Sequence, residues 1–135
     1  MIREATADDI KRVVRLLEQQ AQVLGWQFDY DVALDSTRRQ AVLATSTVLV
    51  ADRGDTITGV LFALLSNTGF NEQIQMHITN VWTEDHNQEV AELLISAACA
   101  AGDRNSVDEI LIAQIAGQEF DLPGLEPTIT ISRIR

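Results

Sequence analysis

The chain has 135 residues, of which 46% are hydrophobic and 22% are charged, and twenty acidic residues against ten basic ones give a net charge of −10. These proportions exclude an intrinsically disordered chain and predict a single domain over residues 1–135. The negative charge repels nucleic-acid phosphates and anionic lipids, so we expect no direct nucleic-acid binding. It favours a cationic substrate or a protein partner.

The few cysteines and histidines restrict the chemistry further. Cys99 is the single cysteine and has no partner for an internal disulfide, and the first residues, MIREATADD, lack the features of a signal peptide. We therefore expect a cytoplasmic protein. The longest apolar run, residues 60–65, is far shorter than the roughly 20 residues that span a bilayer, so no membrane segment is predicted. Two histidines without paired carboxylates or further cysteines predict no metal site.

The first third of the chain reads as a short strand followed by two helices. Residues 2–5 are the candidate strand, and Thr6 and Asp9 have the spacing of a capping box. Apolar residues at helical spacing then predict a first helix that ends near Gly25. A loop, GWQFDYD, separates it from a second helix predicted over residues 32–45.

The rest of the chain predicts strands around one long helix. Residues 47–52 and 56–65 form a hairpin about Gly54, and residues 74–83 alternate as the next strand. A turn, HNQEVA, then opens a helix for which Gly102 is the expected C-cap. Residues 110–115 follow as a strand parallel to the previous one, and a last strand is predicted after GLEP.

Three segments of the sequence resemble the GNAT family of acetyl-CoA-dependent N-acetyltransferases. IREATADDI resembles its opening, TVLVADRGDTITGVLFALL its central hairpin, and GLEP its late G-F-x-P turn. The resemblance implies an α/β (α+β) fold with a mixed, mostly antiparallel central sheet flanked by helices. The short chain implies a shortened C-terminal part.

The resemblance also implies where a cofactor would lie. In the family, the fourth strand splays and holds the acetyl-CoA thioester, and an R/Q-x-x-G-x-G/A turn binds the pyrophosphate at a helix N-terminus. In this sequence the strand end is Val81. The turn positions are His86, Asn87, Gln88, Glu89, Val90 and Ala91.

Glu89 stands where the family has its first glycine. A side chain there obstructs close approach of the backbone to phosphate, and its charge repels phosphate by on the order of 4 kcal/mol at 4 Å and an effective dielectric of 20. Residues 54–103 contain no Lys or Arg to offset this charge. The alternative role of Glu89 is to stabilise the first turn of the helix, with Asp85 or Asn87 as N-cap. We therefore predict a lost or strongly weakened acetyl-CoA site.

No residue stands out as catalytic. Phe120 occupies the position of a family Tyr that protonates the leaving thiolate, and Phe120 has no such proton. His77 lies on the fourth strand, where family members place a base, and is a weak catalytic candidate. Glu84, Asp85 and His86 suggest an acid/base cluster, but consecutive turn residues do not converge on one point, which favours a solvated cap.

Other positions suggest surfaces for substrate or partner. Trp26, Phe28 and Tyr30 line either a substrate entrance or a recognition patch for another protein. Cys99 has no basic neighbour in sequence, which favours a packed thiol over a nucleophile. The edge of the shortened sheet over residues 128–135 is a candidate for pairing in a homodimer.

Two functions remain after these observations. The first is a GNAT-like domain that acts mainly as a protein-interaction or accessory module. The alternative is an active N-acetyltransferase that moves an acetyl group from acetyl-CoA to an amine of a cationic small molecule or protein. An acidic mimic of nucleic acid is a third possibility, for which the sequence offers the charge but no motif.

Overall fold

The computed structural model describes residues 1–67, 69, 72–122, 124 and 125. In this part of the chain five strands form one sheet in the order β1-β2-β3-β4-β5. The bounds of the strands and helices are as follows: β1 Ile2–Glu4, α1 Ile10–Leu24, α2 Tyr30–Val42, β2 Ser46–Asp52, β3 Ile57–Asn67, β4 Ile74–Thr83, α3 Gln88–Arg104 and β5 Glu109–Ile112. The pairs from β1 to β4 are antiparallel, and β4 and β5 are parallel, as the sequence predicted.

Both faces of the sheet are covered because its strands alternate between two apolar sets. On one face, Val50, Val60 and Phe62 pack against Val13 and Leu16 of α1. On the other, the sheet packs against α3, in a cluster that contains Leu49, Leu61, Ile78, Leu94 and Ala98. The strands are therefore buried from both sides, which explains the nearly continuous apolar runs of β2 and β3.

A β-bulge in β4 changes which face its side chains occupy. Phe62 of β3 pairs with Asn80, whereas Ala63 pairs with Ile78, so Thr79 is an extra residue in β4. Such a bulge reverses the alternation. Ile78 packs on the α3 face, and Trp82, four residues later, packs on the α1 face.

An ion-pair cluster ties the start of the chain to the sheet. Arg3 donates two hydrogen bonds to the Asp9 carboxylate, at 2.6 and 2.9 Å, and two to Asp52, at 2.8 and 3.0 Å. Asp9 also accepts from the Thr6 backbone N–H at 2.7 Å, as the capping-box spacing predicted. The Arg3 guanidinium holds the pKa of the buried Asp9 carboxyl well below its usual range. The sequence analysis did not anticipate the roles of Arg3 and Asp52.

Several predicted boundaries are wrong by a few residues, among them the end of the second helix, which is Val42 instead of residue 45. The second helix begins at Tyr30 instead of residue 32, because Asp29 is its N-cap and accepts from the Val32 N–H. The third helix passes through Gly102 to Arg104, with Asn105 as C-cap. Gly102 instead lets the helix approach β5, since a Cβ there would lie 3.3 Å from the Ile110 side chain. The β5 strand ends at Ile112, before the predicted residue 115, and β1 ends at Glu4.

Two sequence expectations fall on the end of the chain. The last strand, and the dimer edge over residues 128–135, lie outside the described residues. No helix of the described part is long and apolar enough to cross a membrane.

Candidate functional site

A wedge opens between β4 and β5. The two strands pair only from Gln75 with Glu109 to Ile78 with Ile112, and the Ala113 N–H bonds to the Ile78 carbonyl at 3.2 Å as the last contact. Beyond the bulge at Thr79, the end of β4 continues with β3 as its neighbour on the opposite side. This is the splay that the resemblance implies, and the half-buried Val81 lies on its β4 side.

The turn between β4 and α3 is held by its own side chains. The Thr83 hydroxyl accepts from the Asn87 N–H at 2.7 Å, and the Asn87 side chain accepts from the Val90 N–H at 3.1 Å. Asn87 is therefore the N-cap that the sequence left open, and Asp85 is not. One of the donors that a bound anion would use at this helix start is already satisfied.

Two residues of the turn adopt a backbone conformation that favours glycine. Asp85 and His86 have φ angles of 56° and 50°. Consecutive non-glycine residues in this region cost on the order of 1–3 kcal/mol each unless surrounding contacts fix them. For His86, this constraint comes from its stack on the Phe120 ring and its contact with the Glu119 carbonyl.

The first turn of α3 sits close to the sheet, with Glu89 on its outer side. A Cβ at Gly59 of β3 would lie 2.9 Å from a methyl group of Val90, so only glycine permits this approach. Ala91 is fully buried. Glu89 is exposed, and within the described residues it has no salt-bridge partner. Its position in the first turn is that of a carboxylate that favours the helix dipole.

After β5 the chain folds back over the wedge. We call residues 113–121 the strap. Gly117, with a φ of 84°, occupies the third position of a turn closed by the Gln118 N–H on the Ile115 carbonyl at 2.9 Å. The Gln114 side chain accepts from the Phe120 N–H at 2.7 Å. These local bonds return the strap toward β4.

The strap rests on two side chains of the turn. The His86 ring stacks on the Phe120 ring with centroids 4.3 Å apart and planes 8° from parallel, and His86 Nε2 lies 3.2 Å from the Glu119 carbonyl. Because a carbonyl only accepts, His86 Nε2 carries the proton. Gln88 Nε2 donates to the Asp121 carbonyl at 2.6 Å, and the Asp121 N–H donates back to Gln88 Oε1 at 3.1 Å.

The strap leaves little space in the wedge. Phe120 is 6% exposed, and the cavity bounded by Val81, Trp82, Ile112 and Phe120 has a volume of about 30 Å³. A cavity of this size holds a water molecule or two, whereas pockets for larger ligands span roughly 300–1,000 Å³. In this conformation the wedge has no room for a pantetheine arm.

Buried polar side chains on the α1 side hold the bulged strand. Gln20 of α1, which is 4% exposed, and Asn80 exchange two hydrogen bonds at 2.9 and 2.8 Å. Nε1 of the buried Trp82 has no hydrogen-bond partner in the described part of the chain. Sequence reasoning missed the Gln20 to Asn80 pair, since neither residue belongs to a motif and 60 positions separate them.

One cation lies nearer to the turn than the sequence suggested. Arg53, at the β2–β3 turn, lines an open groove of about 550 Å³ together with Glu84, Asp85, Asn87 and Val90. The sequence prediction concerned residues 54–103 only, and Arg53 lies just before them. The three carboxylates of Asp52, Glu84 and Asp85 outnumber the Arg53 guanidinium and the Met1 ammonium in this groove.

The structure does not bring His77 to the turn. His77 pairs with Leu111 below the splay, and its Nε2 donates to Gln75 at 3.2 Å. Six residues of extended chain to Thr83 correspond to roughly 20 Å. Glu84, Asp85 and His86 occupy consecutive positions of the turn, where the His86 ring contacts the strap.

The remaining candidates lie apart from the wedge. Trp26 is 53% and Tyr30 46% exposed, and Phe28 is half-buried. Trp26 and Phe28 belong to the loop, but Tyr30 opens α2 and is not a loop residue. Cys99 is half-buried on α3, where burial and the charge of Asp103 raise the pKa of its thiol. In the described residues no three His, Cys, Asp or Glu side chains are grouped as metal ligands.

The sequence matches no protein-family model and no curated protein. Solved structures share the fold. A probable acetyltransferase is 14% identical, with a TM-score of 0.76 over 98% of this chain and 99% of its own. An aminoglycoside acetyltransferase from an uncultured soil metagenomic sample, in complex with sisomicin, is 13% identical, with a TM-score of 0.73 over 99% and 95%.

A GNAT family acetyltransferase from Staphylococcus aureus is 10% identical, with a TM-score of 0.72 over 97% of this chain and 98% of its own. Identities this low carry the fold and not the activity. The mostly antiparallel five-stranded sheet with its three helices matches these neighbours. The chain thus has the fold of the GNAT acetyltransferases.

Proposed function

We propose that this chain is a GNAT-fold accessory protein that acts through contacts with another protein, and that its acetyl-CoA site is closed by its own strap. The observation that carries the proposal is the use of His86 and Gln88, two residues of the cofactor turn, to bind the strap backbone. An acetyl-CoA molecule would have to displace Phe120 from the wedge before its pantetheine arm entered.

The charges beside the turn support the same function. Glu84, Asp85, Glu89 and Glu92 lie on the turn and the first turns of α3, and Glu119 and Asp121 of the strap add to them. A pyrophosphate brought to this helix start meets these carboxylates, and the cations of the adjacent groove are Arg53 and the Met1 ammonium. The family's binding energy at the turn is therefore strongly reduced.

In this proposal the partner also contacts a second surface, away from the turn. At the junction of α1 and α2, Trp26 and Tyr30 are exposed and Phe28 is half-buried, and aromatic side chains dominate the energetics of protein interfaces. Asp29 and Asp31 lie on the same segment. This combination suits a partner whose surface is basic and carries an apolar anchor.

An acetyltransferase of cationic amines is the second candidate. It is supported by the fold neighbour bound to sisomicin and by a groove of about 450 Å³ lined by Gln22, Trp82, Glu84 and Asp85, whose carboxylates would attract an ammonium group. With the strap displaced, Val81 and the turn would hold acetyl-CoA. A neutral amine would attack the thioester carbonyl, expel the CoA thiolate and lose a proton to water, with positioning as the main source of rate.

Thermal unfolding with acetyl-CoA separates the two candidates. We expect 1 mM acetyl-CoA to leave the Tm of the wild-type protein unchanged. A bound ligand at a hundredfold over its Kd stabilises by about 2.7 kcal/mol, which is several degrees for a domain of this size. A clear rise in the wild-type Tm would contradict the proposal. Glu89→Gly, which restores the family's glycine, is the matched variant, and a rise confined to it would identify the carboxylate as the obstacle.

A further inference from the structure

The turn that would bind phosphate in an acetyltransferase instead binds peptide backbone. Gln88 pairs with both the N–H and the carbonyl of Asp121, and His86 donates to the Glu119 carbonyl. These three hydrogen bonds use main-chain groups, which any amino-acid sequence supplies. Reciprocal pairing of this kind resembles the addition of an extended segment to a strand edge.

Phe120 is the one buried side chain of the strap. Phe120 is buried over the wedge and stacks on His86, whereas Glu119 and Asp121 on either side of it are exposed. The ring fits a slot between the turn and the end of β4, where Trp82 is the neighbouring aromatic residue. The site thus has one specific pocket, for an aromatic ring, flanked by contacts to backbone.

We infer that this turn and wedge form a binding site for an extended peptide with a central aromatic residue, which the strap occupies within the same chain. The external ligand of this site is a segment of a partner protein. This segment presents a Phe or Tyr and lacks acidic residues at the positions that Glu119 and Asp121 occupy in the strap. This inference rests on the proposed accessory function, because an acetyl-CoA bound at the turn would fill the same space.

The charges of the site explain why the strap is a replaceable occupant. Glu119 and Asp121 enter a region that already contains Glu84, Asp85, Glu89 and Glu92. Like charges within a Debye length of one another weaken association. The strap holds its place because its covalent link gives it an effective concentration of about a millimolar or more. A partner segment whose aromatic residue is flanked by uncharged or basic residues has a higher affinity for the site than the strap has at equal concentration. Such a segment therefore displaces the strap.

Fluorescence anisotropy with a labelled peptide of the strap sequence, QIAGQEFD, tests the site in trans. The full chain carrying Phe120→Ala is the host, since its own strap no longer fills the slot. We expect this host to bind the peptide at least tenfold more tightly than the wild type does. A peptide with alanine in place of the phenylalanine should bind at least tenfold more weakly, because the ring supplies the specific contact.

Two further comparisons identify the contacts. Adding Gln88→Ala to the Phe120→Ala host should weaken peptide binding about tenfold, because two hydrogen bonds are lost. A peptide with neutral neighbours, QIAGQQFN, should bind about threefold or more tightly than QIAGQEFD at low salt. That advantage should shrink as salt screens the charges.

The inference has clear contrary results. A folded Phe120→Ala chain that ignores the peptide at millimolar concentration, or that binds the alanine peptide equally well, would overturn it while the proposed function stands. If Phe120→Ala does not fold, Phe120→Leu is the host, because its strap lacks the ring that stacks on His86 and therefore competes less well with the peptide. Concentration-dependent dimers of the wild type that Phe120→Ala abolishes would show that the occupant is a second copy, which also overturns it. An acetyl-CoA-dependent rise in the wild-type Tm would overturn the proposed function instead.

Discussion

Replacing Phe120 with alanine is expected to lower the free energy of unfolding by about 3 kcal/mol, the scale of buried phenylalanine truncations. The side chain is 6% exposed and covers the wedge beside Trp82. Its loss removes the ring contact with His86 and enlarges a cavity of about 30 Å³. Urea denaturation with an unchanged m-value would measure this loss as a shift of the midpoint.

Two companion variants separate the causes of that loss. Phe120→Leu keeps most of the apolar volume but removes the aromatic stack, so it should cost about 1 kcal/mol. Leu125→Ala, at a residue that is 49% exposed, should change stability by less than about 0.5 kcal/mol. If Phe120→Ala were as stable as Leu125→Ala, the strap would not be packed on the wedge.

Asp9→Asn is expected to destabilise the protein by about 2–3 kcal/mol at pH 7. The Asp9 side chain is only 3% exposed and pairs with Arg3 at 2.6 Å. Removing one partner of a buried ion pair leaves the other charge uncompensated, which typically costs 3–5 kcal/mol, and the partial exposure of Arg3 reduces that figure. Asp8→Asn, at the exposed neighbouring position, is the matched control and should have little effect.

The pH dependence of this variant has a definite sign. Arg3 lowers the pKa of Asp9 in the folded protein, so the stabilisation is complete above the unfolded value of about 4 and is lost as pH falls toward the lower folded pKa. The stability difference between wild type and Asp9→Asn should therefore be constant from pH 7 to pH 5 and should shrink below about pH 4. A difference that stayed constant down to pH 2.5 would contradict the assigned pair.

Most of the fold follows from local patterns in the sequence. The alternation over residues 74–83 gave β4 its bounds, and Gly25 ends α1 in the left-handed conformation with a φ of 69°. The predicted helix end at Gly102 is wrong because this glycine does not cap the helix. Its small size instead allows the helix to pack closely against Ile110. Sequence pattern alone does not distinguish these two uses of glycine.

The candidate site was predicted only in part. The position of the turn and its cap at Asn87 follow from local chemistry, since both lie at the start of one helix. The strap does not, because the bonds that His86 and Gln88 make to Glu119 and Asp121 span 33 residues and involve main-chain groups on the strap side. In the sequence, Phe120 was singled out only because it lacks the hydroxyl of the family's Tyr. In the structure, its ring contacts the turn.

In the proposed function, closure by the strap and repulsion by Glu89 would be two separable obstacles to acetyl-CoA. The first is steric and reversible, since the strap is held by one aromatic ring and a few hydrogen bonds of about 1 kcal/mol each. The second is electrostatic and permanent, because the carboxylate belongs to the turn itself. A protein with both obstacles at one turn is better suited to recognising a polypeptide than a polyanionic cofactor.

The most direct test of this account is the nuclear Overhauser contact between the ring protons of His86 and Phe120. Rings 4.3 Å apart and nearly parallel should give strong cross-peaks in the wild-type protein. We expect those cross-peaks to persist unchanged when acetyl-CoA is added to 1 mM. Their absence, or their loss as acetyl-CoA is added, would contradict a turn closed by its own strap.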